Sequence, residues 1–328
     1  MKFRTTFDIE PFPEKITYNG KVMLIGSCFA TYIAKKFDNG HIPAMVNPSG
    51  TVYNPVSVIN TLDTVTGNKK YTISDLYFNE GTWISFEHYT DFSGPDPVEL
   101  LKNINSKADE AKSFMSEAGF LFVTFGTARV YRWKESRKIV SNCHKIPASM
   151  FTHELLKVQD IVDLWSQQLD RLKSLYPGMK VIFTISPVRH LKDGAYGNQV
   201  SKSVLFLAVE ELMKHSTAPG YFPAYELLLD DLRDYRFYDE DMLHPSSAAV
   251  DYIWEAFTKC YFSDDTLGLY NDITKITRAI SHRIRSSAGE SKKKFAMKLL
   301  EQIASVTSRA PHVNLENERA YFAQLLGS

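Results

Sequence analysis

The sequence predicts a three-layer α/β/α sandwich around a central, mostly parallel five-stranded sheet, with hairpin insertions and a helical C-terminal appendage. Three observations carry that prediction. Short continuous apolar runs such as Val22–Ile25, Phe120–Phe125 and Val181–Ile185 have the character of parallel strands buried on both faces. Stretches of helical spacing separate them, and parallel neighbours need such crossover connections. From about Tyr261 onward the pattern is helical and basic, with no strand signal.

Taken in order, Val22-Met23-Leu24-Ile25 is the first strand and Gly26-Ser27-Cys28 a tight turn, after which Ile33, Ala34 and Phe37 mark one face of a helix. Ile42–Val46 reads as the second strand, closed by the turn residues Asn47-Pro48-Ser49-Gly50. Tyr71–Tyr89 alternates aromatic residues around Glu80-Gly81, the pattern of an inserted hairpin able to form a wall or lid. A charged helix over Leu100–Met115 precedes the third strand, Phe120–Phe125, and a second hairpin is expected over Ala128–Val140. Helical spacing over Glu154–Leu175 stops at Tyr176-Pro177-Gly178, before the fourth strand, Val181–Ile185. Val204, Leu207, Ala208 and Leu212 mark the next helix, and Pro219-Gly220 leads into a fifth strand at Tyr221–Tyr225. The last core helix starts near Ser246, with Ala249, Tyr252, Ile253, Ala256 and Phe257 on one side. Right-handed crossovers between these units give the flavodoxin-like order 2-1-3-4-5, in which strands one and three are neighbours at the switch point. Gly26-Ser27 and Gly126-Thr127 then meet at one crevice. The core is expected to span residues 1–260. Residues 261–328 form the appendage, with Arg278, Arg283, Arg285 and the run Lys292-Lys293-Lys294, read as a solvated helix face.

Composition narrows the function. The chain has 328 residues, 44% of them hydrophobic and 13% aromatic, which suits a well-packed globular protein rather than a disordered or fibrous one. Lys+Arg and Asp+Glu are both 38, so no net charge calls for nucleic acid or an anionic membrane surface as partner. The stretch Met1–Pro13 lacks the apolar core of a signal peptide, and no later run approaches the roughly 18 apolar residues of a membrane span. Cys28, Cys143 and Cys260 are odd in number and in no CxxC spacing, so a reducing, cytoplasmic setting without structural zinc is expected. His41, His144, His190 and His244 are scattered, and a metal-dependent enzyme is the weakest of the readings.

Two segments carry chemistry. A serine directly after a buried strand and at the start of a helix presents its hydroxyl at the rim of the sheet beside partly positive helix amides, a setting that suits a nucleophile. The commoner role of such a serine is to cap the helix, so Ser27 alone decides nothing. In Asp239-Glu240-Asp241-Met242-Leu243-His244-Pro245-Ser246 an acid precedes a histidine by three positions, just ahead of a helix. A serine nucleophile needs an imidazole to take its proton, and a carboxylate orients that ring and stabilises its cation. Ser27, Asp241 and His244 are therefore the expected catalytic residues.

Gly26-Ser27-Cys28-Phe29-Ala30 resembles the signature of the GSCFA family, a branch of the SGNH (GDSL-like) hydrolases. The resemblance extends through Thr124-Phe125-Gly126-Thr127-Ala128, Asn142-Cys143-His144-Lys145, Ser186-Pro187-Val188-Arg189-His190 and the segment Asp241–Ser246, covering about residues 1–260. It implies a serine nucleophile from the first block, the aspartate and histidine from the last, and hydrolysis of esters, often of acylated lipids or carbohydrates. The sequence departs from the SGNH pattern at the oxyanion hole, which has a second-block glycine and an asparagine in a GxND block. Gly126-Thr127-Ala128-Arg129 keeps the glycine and lacks the asparagine. The loss of one such donor costs roughly 3 kcal/mol of transition-state stabilisation, so an active enzyme needs a replacement. Thr127 and Asn142 are the candidates, Gly50 a candidate second-block glycine, and the Ser27 amide a contributor in any case.

His144 is open to either a substrate-binding or a structural role, and Arg189 and His190 are expected at the rim of the crevice. Asn198 reads as a cap, and Cys28 as a small apolar residue packing inward. These expectations converge on a serine ester hydrolase needing no cofactor and acting on a small acyl ester or acylated sugar. Acyl transfer by the same triad and a catalytically silent binding protein remain the alternatives. The sequence is silent on acyl length, alcohol and oligomeric state.

Overall fold

Apolar runs without alternation do form the central sheet in the structure, a computed structural model that describes residues 4–281 and 289–327. Its five strands are β1 (Lys21–Gly26), β2 (Ala44–Val46), β6 (Ala118–Phe125), β10 (Lys180–Ile185) and β11 (Gly220–Tyr221). All pairings are parallel and the order is β11-β10-β6-β1-β2, which in sheet strands alone is 2-1-3-4-5. The switch point falls between β1 and β6, with Gly26 opposite Thr124. The expected three layers, central parallel sheet and flavodoxin-like order are present.

The crossovers are α1 (Cys28–Asn39), α2 (Pro55–Thr66), α3 (Pro97–Met115), α4 (Val158–Leu175) and α5 (Gly194–Met213); the single turn α6 (Ala224–Glu226) and α7 (Ser247–Tyr261) follow the last strand. Met23, Ile25, Leu121, Val123, Phe125 and Phe183 pack one face of the sheet against apolar residues of α2 to α5, among them Val58, Leu62, Trp165 and Leu205. Val22, Leu24 and Ile182, which alternate with them, are equally buried, so both faces are covered. The helices begin where sequence chemistry starts them. Asn54 caps α2 by accepting the Ser57 amide, Asp96 caps α3 through the Val98 and Glu99 amides, and both helices carry proline in the first turn.

The insertions are larger than two hairpins. β3 (Tyr77–Asn79) and β4 (Thr82–Ile84) turn at Glu80-Gly81, both with positive φ, and β5 (Ser93–Gly94) adds a third strand. β7 (Arg129–Trp133) pairs with β8 (Ile139–Val140) and also with β9 (Phe151–Leu155). The expected helix start at Glu154 is therefore corrected: Phe151–Leu155 alternates as a strand, and α4 begins at Val158. The two small sheets share a core of Ile84, Trp133, Val140, Ile146 and Phe151. The fifth sheet strand is also shorter than expected. Phe222 makes one further bond to the Phe183 carbonyl, Pro223 has no amide to give, and the chain from Ala224 coils into a helical stretch.

The described residues fall into two compact units, one drawn from 1–9, 21–34 and 44–256, the other from 10–20, 35–43 and 257–328. The second contains α8 (Asp264–Ser281), α9 (Gly289–Arg309) and α10 (Glu316–Gly327), whose inward faces include Ile273, Ile276, Ile303, Val306 and Phe322. His41 meets Glu318 at 3.2 Å in this unit. Lys293 and Lys294 are exposed, Lys294 facing Glu290 at 3.7 Å, while Arg283 and Arg285 lie outside the described residues. No described helix is long and apolar enough to cross a membrane.

Candidate active site

The turn from β1 into α1 is determined by its glycine. Gly26 has φ +147°, and a Cβ there would collide with the Thr124 carbonyl oxygen, so no side chain fits between β1 and β6. The Gly26 amide donates to Asn47 Oδ1 at 2.7 Å, and the Gly26 carbonyl accepts the Val52 amide at 3.1 Å. Ser27 follows with 1% exposure. Its amide donates to the Thr124 carbonyl at 3.1 Å, its hydroxyl accepts the Phe29 amide at 3.3 Å, and its carbonyl accepts the Ala30 amide. The Ser27 amide, expected in the oxyanion hole, is thus spent on β6, and the side chain caps α1.

The acid and histidine form a self-closing loop. Asp241 Oδ1 accepts the Leu243 and His244 amides, both at 2.9 Å, while Oδ2 lies 2.5 Å from His244 Nδ1. The His244 amide, then its ring, then the Leu243 amide hold the Asp241 carboxyl down at about 2, so it is ionised at neutral pH. With its Nδ1 proton directed to that carboxylate, the ring carries its lone pair on Nε2, the tautomer of a general base. The loop is pinned by the Asp239 amide on the His244 carbonyl, the Ser246 amide on the Phe237 carbonyl, and Met242 at φ 59°. The His244 ring meets Tyr32 of α1 edge-on, with centroids 6.4 Å apart. Asp241 and His244 are brought together as expected. Among the described residues, no hydrogen bond joins either of them to Ser27.

The remaining expected residues are dispersed. Gly126 lies beside Ser27, 3.4 Å separating its Cβ position from that of the serine, but its amide and that of Thr127 both donate to the Tyr53 carbonyl, at 2.7 and 3.0 Å. The Thr127 hydroxyl bonds Ser201 at 2.8 Å and accepts the Arg129 amide. Gly50, at φ +79°, closes the Asn47 turn, and a Cβ there would collide with Tyr89. Asn142 accepts the His144 amide, and His144 Nε2 reaches the Ser85 and His88 carbonyls at 2.8 and 3.1 Å, tying the insertions together. The His190 amide donates to Asn198 Oδ1, so Asn198 acts within α5 rather than as its cap. Arg189 has a buried Nε without a partner among the described residues. It lines a cavity of about 640 Å³ with Gln199, Phe206, Tyr225, Tyr235 and Tyr238.

One residue near Cys28, Lys202, was not singled out from the sequence. Cys28, expected to pack inward, is partly buried beside Ser27, within electrostatic reach of Lys202, Asp241 and Tyr53. Lys202 is fully buried on α5, donates to the Ser186 carbonyl at 2.6 Å, and is pushed down to about 7 by burial. A signal for it existed: a lysine at 202 falls on the stripe of Leu205, Val209 and Leu212, an unexpected charge on a buried helix face. Among the described residues, no group of three or more His, Cys, Asp or Glu is assembled that could hold a metal ion.

Residues 21–257 match the family described as the GSCFA family, and residues 273–327 match the GSCFA domain protein, C-terminal domain. No curated protein matches the chain. Solved structures with a related chain path include one described as a platelet activating factor from Streptococcus pneumonia, 11% identical, covering 76% of this chain and 83% of its own, at a TM-score of 0.38. A GDSL-like lipase described from Parabacteroides merdae ATCC 43184 is 10% identical, with 78% and 100% covered and a TM-score of 0.36. A carbohydrate esterase family 3 protein from Talaromyces cellulolyticus is 9% identical, with 77% and 99% covered and a TM-score of 0.32. Likenesses of this size assign no activity.

Proposed function

The chain belongs to the GSCFA family, and from that premise we propose that it is a hydrolase of small acyl esters, acylated sugars among them, whose general base is His244. The observation that carries the reading is the 2.5 Å contact of His244 Nδ1 with Asp241 Oδ2, on a loop whose histidine faces α1. An ionised carboxylate on Nδ1 leaves Nε2 free to take a proton from a nucleophile and return it to the leaving alcohol. The nucleophile comes from the Ser27–Cys28 pair at the head of that helix. The cavity beside Arg189 borders the same loop through Tyr235 and Tyr238 and is large enough for a small ester. It offers aromatic walls and a guanidinium whose Nε is unpartnered among the described residues.

A panel of p-nitrophenyl and acetylated-sugar esters tests this. The expected result is turnover by the native chain and a loss of about 10³-fold or more in His244→Ala. Turnover unchanged by His244→Ala, or none on any ester, overturns the reading. Acyl transfer to a sugar hydroxyl would use the same groups and would show as an acylated sugar product in place of free acid.

A further inference from the structure

Ser27 and Cys28 are adjacent, yet three observations separate them. Ser27 is 1% exposed, whereas Cys28 is only half-buried. The Ser27 hydroxyl is engaged with the Phe29 amide as a helix cap, so releasing it to attack a substrate would uncap α1. The phase of the helix is the third difference. Residues four apart share a helix face, and the residue four after Cys28 is Tyr32, whose ring meets His244. Ser27, the cap residue before α1, is not part of that helix face. Cys28 also lies within electrostatic reach of Asp241, Lys202, Tyr32 and Tyr53, from four separate elements.

We propose, on the footing of the hydrolase reading above, that Cys28 is the nucleophile of this site and forms a thioester acyl-enzyme with His244 as its base. The thiol proton passes to His244 Nε2 as the sulfur–carbon bond forms at the ester carbonyl. The carbon–oxygen bond to the alcohol then breaks, and the leaving oxygen takes that proton. Water next gives a proton to His244 and adds to the thioester carbon; the carbon–sulfur bond breaks and the proton returns to sulfur, freeing the acid. No oxidant or further reactant enters. Burial raises the Cys28 thiol above its ordinary range, opposed by its own amide, the Phe29 amide and Lys202, so the resting group is a thiol and needs a base.

The test is acyl trapping with p-nitrophenyl acetate, quenched during turnover and read by peptide mass spectrometry on the full chain. The expected adduct sits on Cys28, is removed by neutral hydroxylamine, and is absent from Cys28→Ala while persisting in Ser27→Ala. A hydroxylamine-resistant adduct on Ser27 that survives in Cys28→Ala overturns the proposal and leaves the hydrolase reading intact. No adduct together with no hydrolysis overturns both. Independently of substrate, the rate of iodoacetamide alkylation at Cys28 should fall about tenfold in His244→Ala; a rate indifferent to His244 also overturns it. Thermal melts of the variants establish that each is folded before it is read.

Discussion

The Gly26–Cys28 turn and the Asp241–His244 loop, the two halves of the proposed site, are held in different ways. The turn is locked from outside: Asn47, Val52 and Thr124, from three other segments, bind its main chain, and Ser27 is sealed from solvent. The loop is locked from within, its carboxylate binding the amides two and three residues on, while Asp241 and His244 side chains stay 48% and 33% exposed. Damage to the first should therefore spread through the sheet, and damage to the second should stay chemical.

The sharpest break in that contrast is Asp241→Asn. The asparagine oxygen can still accept the two amides, but its NH₂ faces Nδ1 and favours the wrong tautomer, so kcat/KM should fall about 10³-fold with little change in Tm. An equal loss of stability would show that the loop is not self-contained. Gly26→Ala should act the other way, costing about 3 kcal/mol or more in denaturant unfolding, because the methyl meets the Thr124 carbonyl at a backbone angle few side chains adopt. A Gly26→Ala chain as stable as the native one would mean that β1 and β6 can part.

His88, buried in the insertion between Tyr71 and Phe92 and bonded to Ser85, is pushed down to about 4 by burial, with Glu87 opposing and Lys69 and His144 assisting. It is neutral when folded and ordinary when unfolded, so its stabilisation is complete above pH 6.5 and is lost as pH falls toward 4, about 3 kcal/mol in all. Melts of the native chain and His88→Phe across that window check it, the variant showing the shallower slope. The smallest effect expected is that of Asn47→Ala, which leaves the Gly26 amide without its acceptor and should cost about 1–2 kcal/mol. It should lower activity only as far as it disturbs the turn.

Strands and crossovers were legible because their cause is local. A run such as Val22–Ile25 has to be buried on both faces, and the helices between runs impose parallel order. Glu154 and Leu155 were read into the helix because the alternation of Phe151–Leu155 adjoins the helical spacing of α4, and only pairing with β7 separates the two. The Asp241–His244 contact was legible for the same local reason: three residues of one loop bring both side chains together.

The sequence by itself determined the layered α/β fold, the strand order and the position of an acid and a histidine after the last strand. All follow from nearest-neighbour chemistry and burial pattern. Tertiary structure decided the rest: that Gly126 and Thr127 give their amides to Tyr53, that Ser27 gives its own to Thr124, and that Lys202 is enclosed near Cys28. Partners from distant segments consume or free each donor, and the phase of α1, fixed by where β1 releases the chain, places Tyr32 against His244.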